Sequence, residues 1–204
     1  MNPKIRFLCD SALRTFLSRD KSCPSCGCGD SSVVDSKFGI VKLRRCGRCQ
    51  LLPRTPTSTD EEASRYYQED YRMGFTTEMP TSDELQKLME TGFAGTERDH
   101  SDRMNVLVAL GCKPGDRLLD FGCSWGYGSW QLAKKGYDVT SFEVSEPRAE
   151  YASQNLDVHV VTSLEILSND PYLEGQFDIF FSSHVIEHVS AVSTVLNLAP
   201  SWGK

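Results

Sequence analysis

The sequence predicts an α/β fold, a parallel sheet of about four strands with crossover helices, carried behind a small cysteine-rich module. Three observations point there. After Pro114, short apolar runs alternate with helical stretches, the pattern of strands joined by crossover helices. A glycine-rich turn at residues 122–128 leads from the first of these runs into a helix. Upstream, two CxxC pairs fall within residues 21–56, followed by the turn-rich stretch from Pro53 to Thr59.

The bulk properties bound the partners. At 204 residues and 22.8 kDa the chain holds one medium domain and an appendage. Its net charge of −6 argues against non-specific nucleic-acid binding, although Lys42, Arg44, Arg45 and Arg48 form a local basic patch. No apolar run reaches the roughly 18 residues of a membrane-spanning helix, and the N-terminus lacks the apolar core of a secretory signal. The expected compartment is therefore the cytoplasm, where thiols stay reduced and clustered cysteines bind metal rather than pair as disulfides.

Cys23 and Cys26 form one CxxC pair, Cys46 and Cys49 the other, with nineteen residues between Cys26 and Cys46. Each pair folds back so that both sulfurs reach one ion, and four thiolates complete a closed tetrahedral shell. This spacing predicts a structural zinc ribbon with Cys23, Cys26, Cys46 and Cys49 as ligands and Cys28 as a spare that can replace Cys26. A redox role needs only one pair. The intervening segments, from Ser32 and from Phe38, read as the hairpin joining the knuckles. They hold too few apolar residues to fold alone, so ion binding supplies the stability, about 10–16 kcal/mol in zinc-finger peptides. Residues 57–97 read as a helical linker or lid, with a helix from Ser82 to Glu90 and with Tyr66, Tyr67 and Tyr71 as candidate lid residues.

Residues 98–204 form the predicted α/β domain. Its strands run from Arg117 to Phe121, Asp138 to Glu143, Val158 to Val161 and Phe177 to Phe181. The turn at 122–128 presents backbone N–H groups and the positive end of a helix, where a ligand carboxylate or phosphate can sit. The same residues satisfy G-x-S-x-G around Ser124, a nucleophile elbow, but the upstream oxyanion glycines are missing. His184 to His188 satisfies HxxEH, a zinc-protease motif, but it follows a strand directly and no third ligand is evident. Glu143 closes the second strand twenty-one residues after Gly122, where a nucleotide-binding fold places the carboxylate that accepts ribose hydroxyls.

Taken together, the run from Asp120 to Gly126, the run from Phe142 to Arg148, the turn at Ser163 and Leu164, and the segment from Phe177 to Val189 resemble the class I S-adenosylmethionine-dependent methyltransferases, in particular their ubiquinone-type O-methyltransferase branch. The resemblance covers residues 98–200 and implies a Rossmann-like sheet with bound S-adenosylmethionine. It implies that Gly122 and Gly126 let the backbone approach the methionine carboxylate, that Asp120 holds the ammonium group through water, and that Glu143 binds the ribose. Val144 and Leu164 line the adenine, with the Ser163 backbone at its edge. His184 is the first candidate for a general base and His188 the second. Ser124 departs from the family by replacing the middle glycine.

The acceptor implied is a small molecule or glycan, with O-methylation as the reaction. A second reading is a non-catalytic zinc-ribbon adaptor with a degenerate methyltransferase domain. The family's sheet has seven strands and four are placed here, since the stretch from Leu198 to Lys204 resembles the turn before a fifth. The sheet is therefore expected to be incomplete, with one edge exposed to a partner chain and much of the acceptor pocket absent.

Overall fold

The computed structural model describes residues 3–17, 22–57, 78–169, 175–189, 192, 193, 195 and 196. Tyr66, Tyr67, Tyr71 and the stretch from Leu198 to Lys204 lie outside the described residues. Two compact units are present: Met1–Ala63 with His188–Leu196, and Ser64–Glu187 with Asn197–Lys204.

The first unit begins with helix α1 (Pro3–Leu17) and continues into a three-stranded antiparallel sheet, β1 (Ser31–Lys37), β2 (Val41–Cys46) and β3 (Arg54–Thr55), in the order β1-β2-β3. β1 and β2 are the expected hairpin, with a bulge between Val33 and Asp35. Nearly all of β1 is exposed, so apolar burial contributes little here. Instead the two ends are pinned by knuckles: Gly27 N–H donates to Cys23 O at 2.9 Å and Gln50 N–H to Cys46 O at 3.1 Å. Gly27, with φ +68°, takes the left-handed bend such a knuckle requires. Ser193 from the later segment of this unit donates to Pro24 O at 3.1 Å, and Val195 is buried.

The second unit opens with α2 (Ser82–Glu90) and α3 (Ser101–Ala109). α2 starts at a capping box, in which Thr81 N–H donates to the Glu84 carboxylate at 2.8 Å and Glu84 N–H returns to the Thr81 hydroxyl. Then follow β4 (Arg117–Phe121), α4 (Tyr127–Lys134), β5 (Asp138–Phe142), α5 (Glu146–Leu156), β6 (Val160–Val161), α6 (Leu164–Asn169) and β7 (Ile179–Phe181). A 3₁₀ turn, Ile186–His188, comes next.

These four strands are all parallel, in the order β6-β5-β4-β7, so the chain reverses direction across the sheet after β6. That is the half of a Rossmann-like sheet in which the switch point lies beside the first strand, between β4 and β7. The last four residues of β4 are buried, as a central parallel strand requires. Among the described residues β7 pairs only with β4, leaving its other edge open.

Three strands are shorter than expected: β5 ends at Phe142, with Glu143 just beyond it, and β6 and β7 start late. Val158 is buried in an apolar cluster with Leu85, Phe93, Trp125, Ala152 and Leu156, and Asp157 ends α5 in the left-handed conformation, so pairing begins only at Val160. At β7 Asp178 donates its N–H to Arg117 O at 2.8 Å while its carboxylate takes Arg117 N–H at 2.9 Å, and regular pairing begins at Ile179. A second cluster of Met104, Leu107, Leu118, Leu132, Tyr137 and Ile179 fixes α3 and α4 to the strands.

Candidate cofactor site and cysteine cluster

The four cysteines of the two pairs converge. Sγ atoms of Cys23, Cys26, Cys46 and Cys49 all lie within 4.8 Å of one another, with Cys23–Cys49 and Cys26–Cys46 at 3.5 Å. A tetrahedral zinc–thiolate shell with bonds of about 2.3 Å places its sulfurs about 3.8 Å apart, so this group fits a single ion. Cys28 stands apart from the group, its thiol near Asp30 O at 3.8 Å. Cys49 and Arg48 backbone N–H groups point at the Cys46 sulfur, at 3.5 and 3.4 Å. They hold the Cys46 thiol down to about 6, while burial and the hydrogen bonds of Cys23, Cys26 and Cys46 push the Cys49 thiol up to about 12. Among the described residues no other group of His, Cys, Asp or Glu could hold an ion. His184 and His188 do not share the face of an α-helix, because the chain between them forms a 3₁₀ turn.

In the second unit, the predicted cofactor residues gather at the carboxyl ends of β4 and β5. The parallel register sets Asp120 beside Ser141 and Phe121 beside Phe142, whose rings stack at 4.7 Å. The loop after β4 and the carboxylate after β5 are thus neighbours. Ser124 N–H donates to Glu143 Oε2 at 2.9 Å and Ser145 N–H to Oε1 at 2.8 Å. The Val144 N–H also acts on this carboxylate, and of its roughly four lone-pair sites acceptor capacity remains for a hydroxyl of a ligand. Burial raises the Glu143 pKa, opposed by these N–H groups and by Arg148.

Asp120 is buried, and Ser129 Oγ donates to its Oδ2 at 2.6 Å while Ser141 Oγ donates to Ser129 at 2.9 Å. Burial, reinforced by Glu143, raises Asp120 to about 6. Gly122 and Gly126 have φ +91° and +87°. Both are also required by packing: a Cβ at Gly122 would stand 2.3 Å from Val185 Cγ2, and at Gly126 2.8 Å from Ala152 Cβ.

Val144 is 40% exposed beside this carboxylate. Ser163 caps α6, its hydroxyl accepting Ile166 N–H at 3.3 Å, and Leu164 follows half-buried. Ser124 directs its hydroxyl to Arg148, whose Nη1 donates to it at 2.9 Å, so it is not the serine of a nucleophile elbow.

Beyond β7, Ser182 Oγ donates to Phe121 O at 3.1 Å and Arg103 Nε donates to Ser183 Oγ at 2.9 Å. His184 follows with φ +58°, exposed, its Nδ1 3.7 Å from Glu187 Oε1. A histidine held in this sparsely populated conformation at a strand's carboxyl end fits a functional position. His188 is exposed at the end of the 3₁₀ turn and falls in the segment grouped with the first unit.

Sequence reading gave no role to His100, Ser129, Ser141, Arg148 or Val185. The imidazole of His100 is buried against Tyr127 at 5.3 Å and Phe181 at 6.2 Å, and fills the space that Gly128 leaves open. Burial first, then Arg103, lowers its pKa to about 4, so the ring is neutral. A signal for these residues existed in Ser129 and Gln131, polar groups on the inward side of an otherwise apolar helix.

Residues 119–199 match the family described as a methyltransferase domain. That match spans the glycine turn at 122–126, Glu143 and the segment after β7. The methyltransferase domain is 30% identical over 108 residues to a ubiquinone biosynthesis O-methyltransferase of Marinobacter nauticus, covering 50% of this chain and 45% of that protein. It is 31% identical over 104 residues to a malonyl-acyl-carrier-protein O-methyltransferase of Serratia marcescens, covering 50% and 39%. The chain thus spans less than half the length of these curated relatives. Among solved structures, a magnesium protoporphyrin IX methyltransferase from Synechocystis with bound S-adenosylmethionine aligns at 25% identity and a TM-score of 0.41, covering 71% of this chain and 67% of that one. No helix among the described residues is long and apolar enough to cross a membrane.

Proposed function

We propose that this chain binds S-adenosylmethionine at the carboxyl ends of β4 and β5 and transfers its methyl group to a small-molecule or glycan-type acceptor, with oxygen as the reacting atom. The observation that carries this reading is Glu143, oriented by two backbone N–H groups 2.9 and 2.8 Å away beside a left-handed glycine turn. In this reading Glu143 takes the ribose hydroxyls, Asp120 faces the ammonium group, and Val144, Ser163 and Leu164 border the adenine. The cofactor supplies an electrophilic methyl on a sulfonium whose charge disappears in the transfer. Alignment of the acceptor by the protein supplies much of the acceleration. An oxygen acceptor also loses a proton, which His184 accepts at an imidazole nitrogen.

The O-methyltransferase names of both relatives above support oxygen as the acceptor atom. We assign the four cysteines a structural zinc ion, because a closed thiolate shell leaves no position for substrate. Four free cysteines clustered as for a metal, rather than paired as disulfides, support a cytoplasmic setting.

Calorimetric titration with S-adenosylmethionine and S-adenosylhomocysteine tests the reading. Binding in the micromolar range is expected, with a loss of about tenfold or more in Glu143→Ala, which removes two charge-assisted hydrogen bonds. Absence of binding by the zinc-loaded protein would overturn the enzyme reading in favour of the adaptor. Methyl transfer from labelled cofactor to a panel of phenolic and sugar hydroxyls then identifies the acceptor.

A further inference from the structure

Within the proposed cofactor site, a buried arginine links the two halves. Arg148 lies in the first turn of α5 with 3% of its surface exposed. Its Nη1 donates to Ser124 Oγ at 2.9 Å, and its charge acts on Glu143. Ser124 stands where the turn bends through φ +55°, a conformation that glycine adopts freely and serine does not. The hydroxyl is held by Arg148 and the N–H of the same residue by Glu143 Oε2 at 2.9 Å. Serine in place of glycine therefore exchanges conformational freedom for a fixed point between the guanidinium and the carboxylate.

Resting on the cofactor reading above, we propose that Arg148 is a positioning residue for the nucleoside: through Ser124 it sets the bend of the 122–126 turn and keeps Glu143 aimed at the ribose. A guanidinium suits this task because its planar fork directs several donors at once, whereas an ammonium is a point charge. Among the described residues, the groups acting on Glu143 are Arg148 from α5, Asp120 from β4, Cys123 and Ser124 from the turn, and the Val144 and Ser145 N–H groups. Arg148 is the one cation among them. Burial already raises the Glu143 pKa. Removing the cation raises it further, so an ionised Glu143, and ribose binding with it, is lost at higher pH as the solution is acidified.

The test uses the zinc-loaded full chain and two probes, S-adenosylhomocysteine and 5′-methylthioadenosine, which share the nucleoside and differ in the amino-acid end. Arg148→Met is expected to weaken both by the same factor, about tenfold, and to move the acid limb of the affinity–pH profile to higher pH. Arg148→Lys keeps the charge and loses the fork. It is expected to weaken both probes by about threefold with the acid limb unmoved, and it serves if the methionine variant does not fold. Ser124→Gly bends unaided, so adding Arg148→Met to it is expected to weaken binding by only about threefold.

Probe affinities and pH profiles of the folded Arg148 variants equal to wild type would overturn the proposal. So would an undiminished loss in the Ser124→Gly background, or a loss confined to S-adenosylhomocysteine. If wild type binds neither probe, the cofactor reading itself fails. Binding by wild type that the Arg148 variants leave unchanged sinks only the role of Arg148.

Discussion

Asp120→Asn is the sharpest probe of the electrostatics behind the glycine turn. The Asp120 carboxyl is buried, and its pKa rises from 3.8 to about 6. A group whose folded pKa is raised is at no disadvantage while protonated, below pH 4. Its stability contribution is lost as pH climbs through the folded value, because the fold must then enclose a charge. At 1.36 kcal/mol per unit, the full effect is about 3 kcal/mol at pH 8 and roughly half of that at pH 5.

Asparagine carries no charge and keeps an oxygen for the Ser129 hydroxyl. The stability of Asp120→Asn relative to wild type should therefore increase by about 1 kcal/mol between pH 5 and pH 8. His100 titrates in the opposite sense: its pKa is lowered from 6.5 to about 4, so its contribution is present above pH 6.5 and is lost as pH falls through about 4. Both proteins contain it, so it cancels in the difference. Urea unfolding followed by tryptophan fluorescence reads the second unit, which contains Trp125 and Trp130. A difference that stays flat across this pH range would refute the placement of a strained carboxyl at residue 120. The same variant should bind S-adenosylmethionine more weakly, since stability and function compete at such a group.

Three further outcomes follow from the geometry. Gly122→Ala combines an ideal Cβ position 2.3 Å from Val185 Cγ2 with φ +91°, and should lower urea-unfolding stability by about 2 kcal/mol or more, of which Val185→Ala restores part. Elemental analysis should find one zinc per chain in wild type and in Cys28→Ser but none in Cys46→Ser, and chelation should abolish amide-exchange protection along β1 and β2, which metal binding stabilises. Once an acceptor is known, His184→Ala should lower kcat by about 10²–10⁴-fold, with His188→Ala close to wild type. Equal losses in the two histidine variants would remove His184 from its role.

The zinc-type cluster was legible because each half is a local device. Four residues fix a CxxC knuckle, and the hairpin between Cys26 and Cys46 returns the chain to the same point. The sheet was legible for a related reason. Strands buried on both faces must be apolar runs, and the crossover at residues 122–126 needs left-handed backbone, so composition and glycine placement reveal both. The boundaries of β6 and β7 were not, because Val158 is claimed by an apolar cluster and Asp178 by the Arg117 backbone.

What tertiary structure alone decided is which side chain meets which across long sequence separations. Val185 lies against Gly122, Arg148 holds Ser124, Ser129 and Ser141 line up behind Asp120, and His100 fills the gap at Gly128. Each depends on how helices settle onto the sheet, a matter of packing that no local spacing encodes. The sequence by itself determined that the cysteine pairs, the glycine turn and the carboxylates at 120 and 143 stand at turns and strand ends. Only the folded chain decided which of them are buried, and burial is what sets their charge.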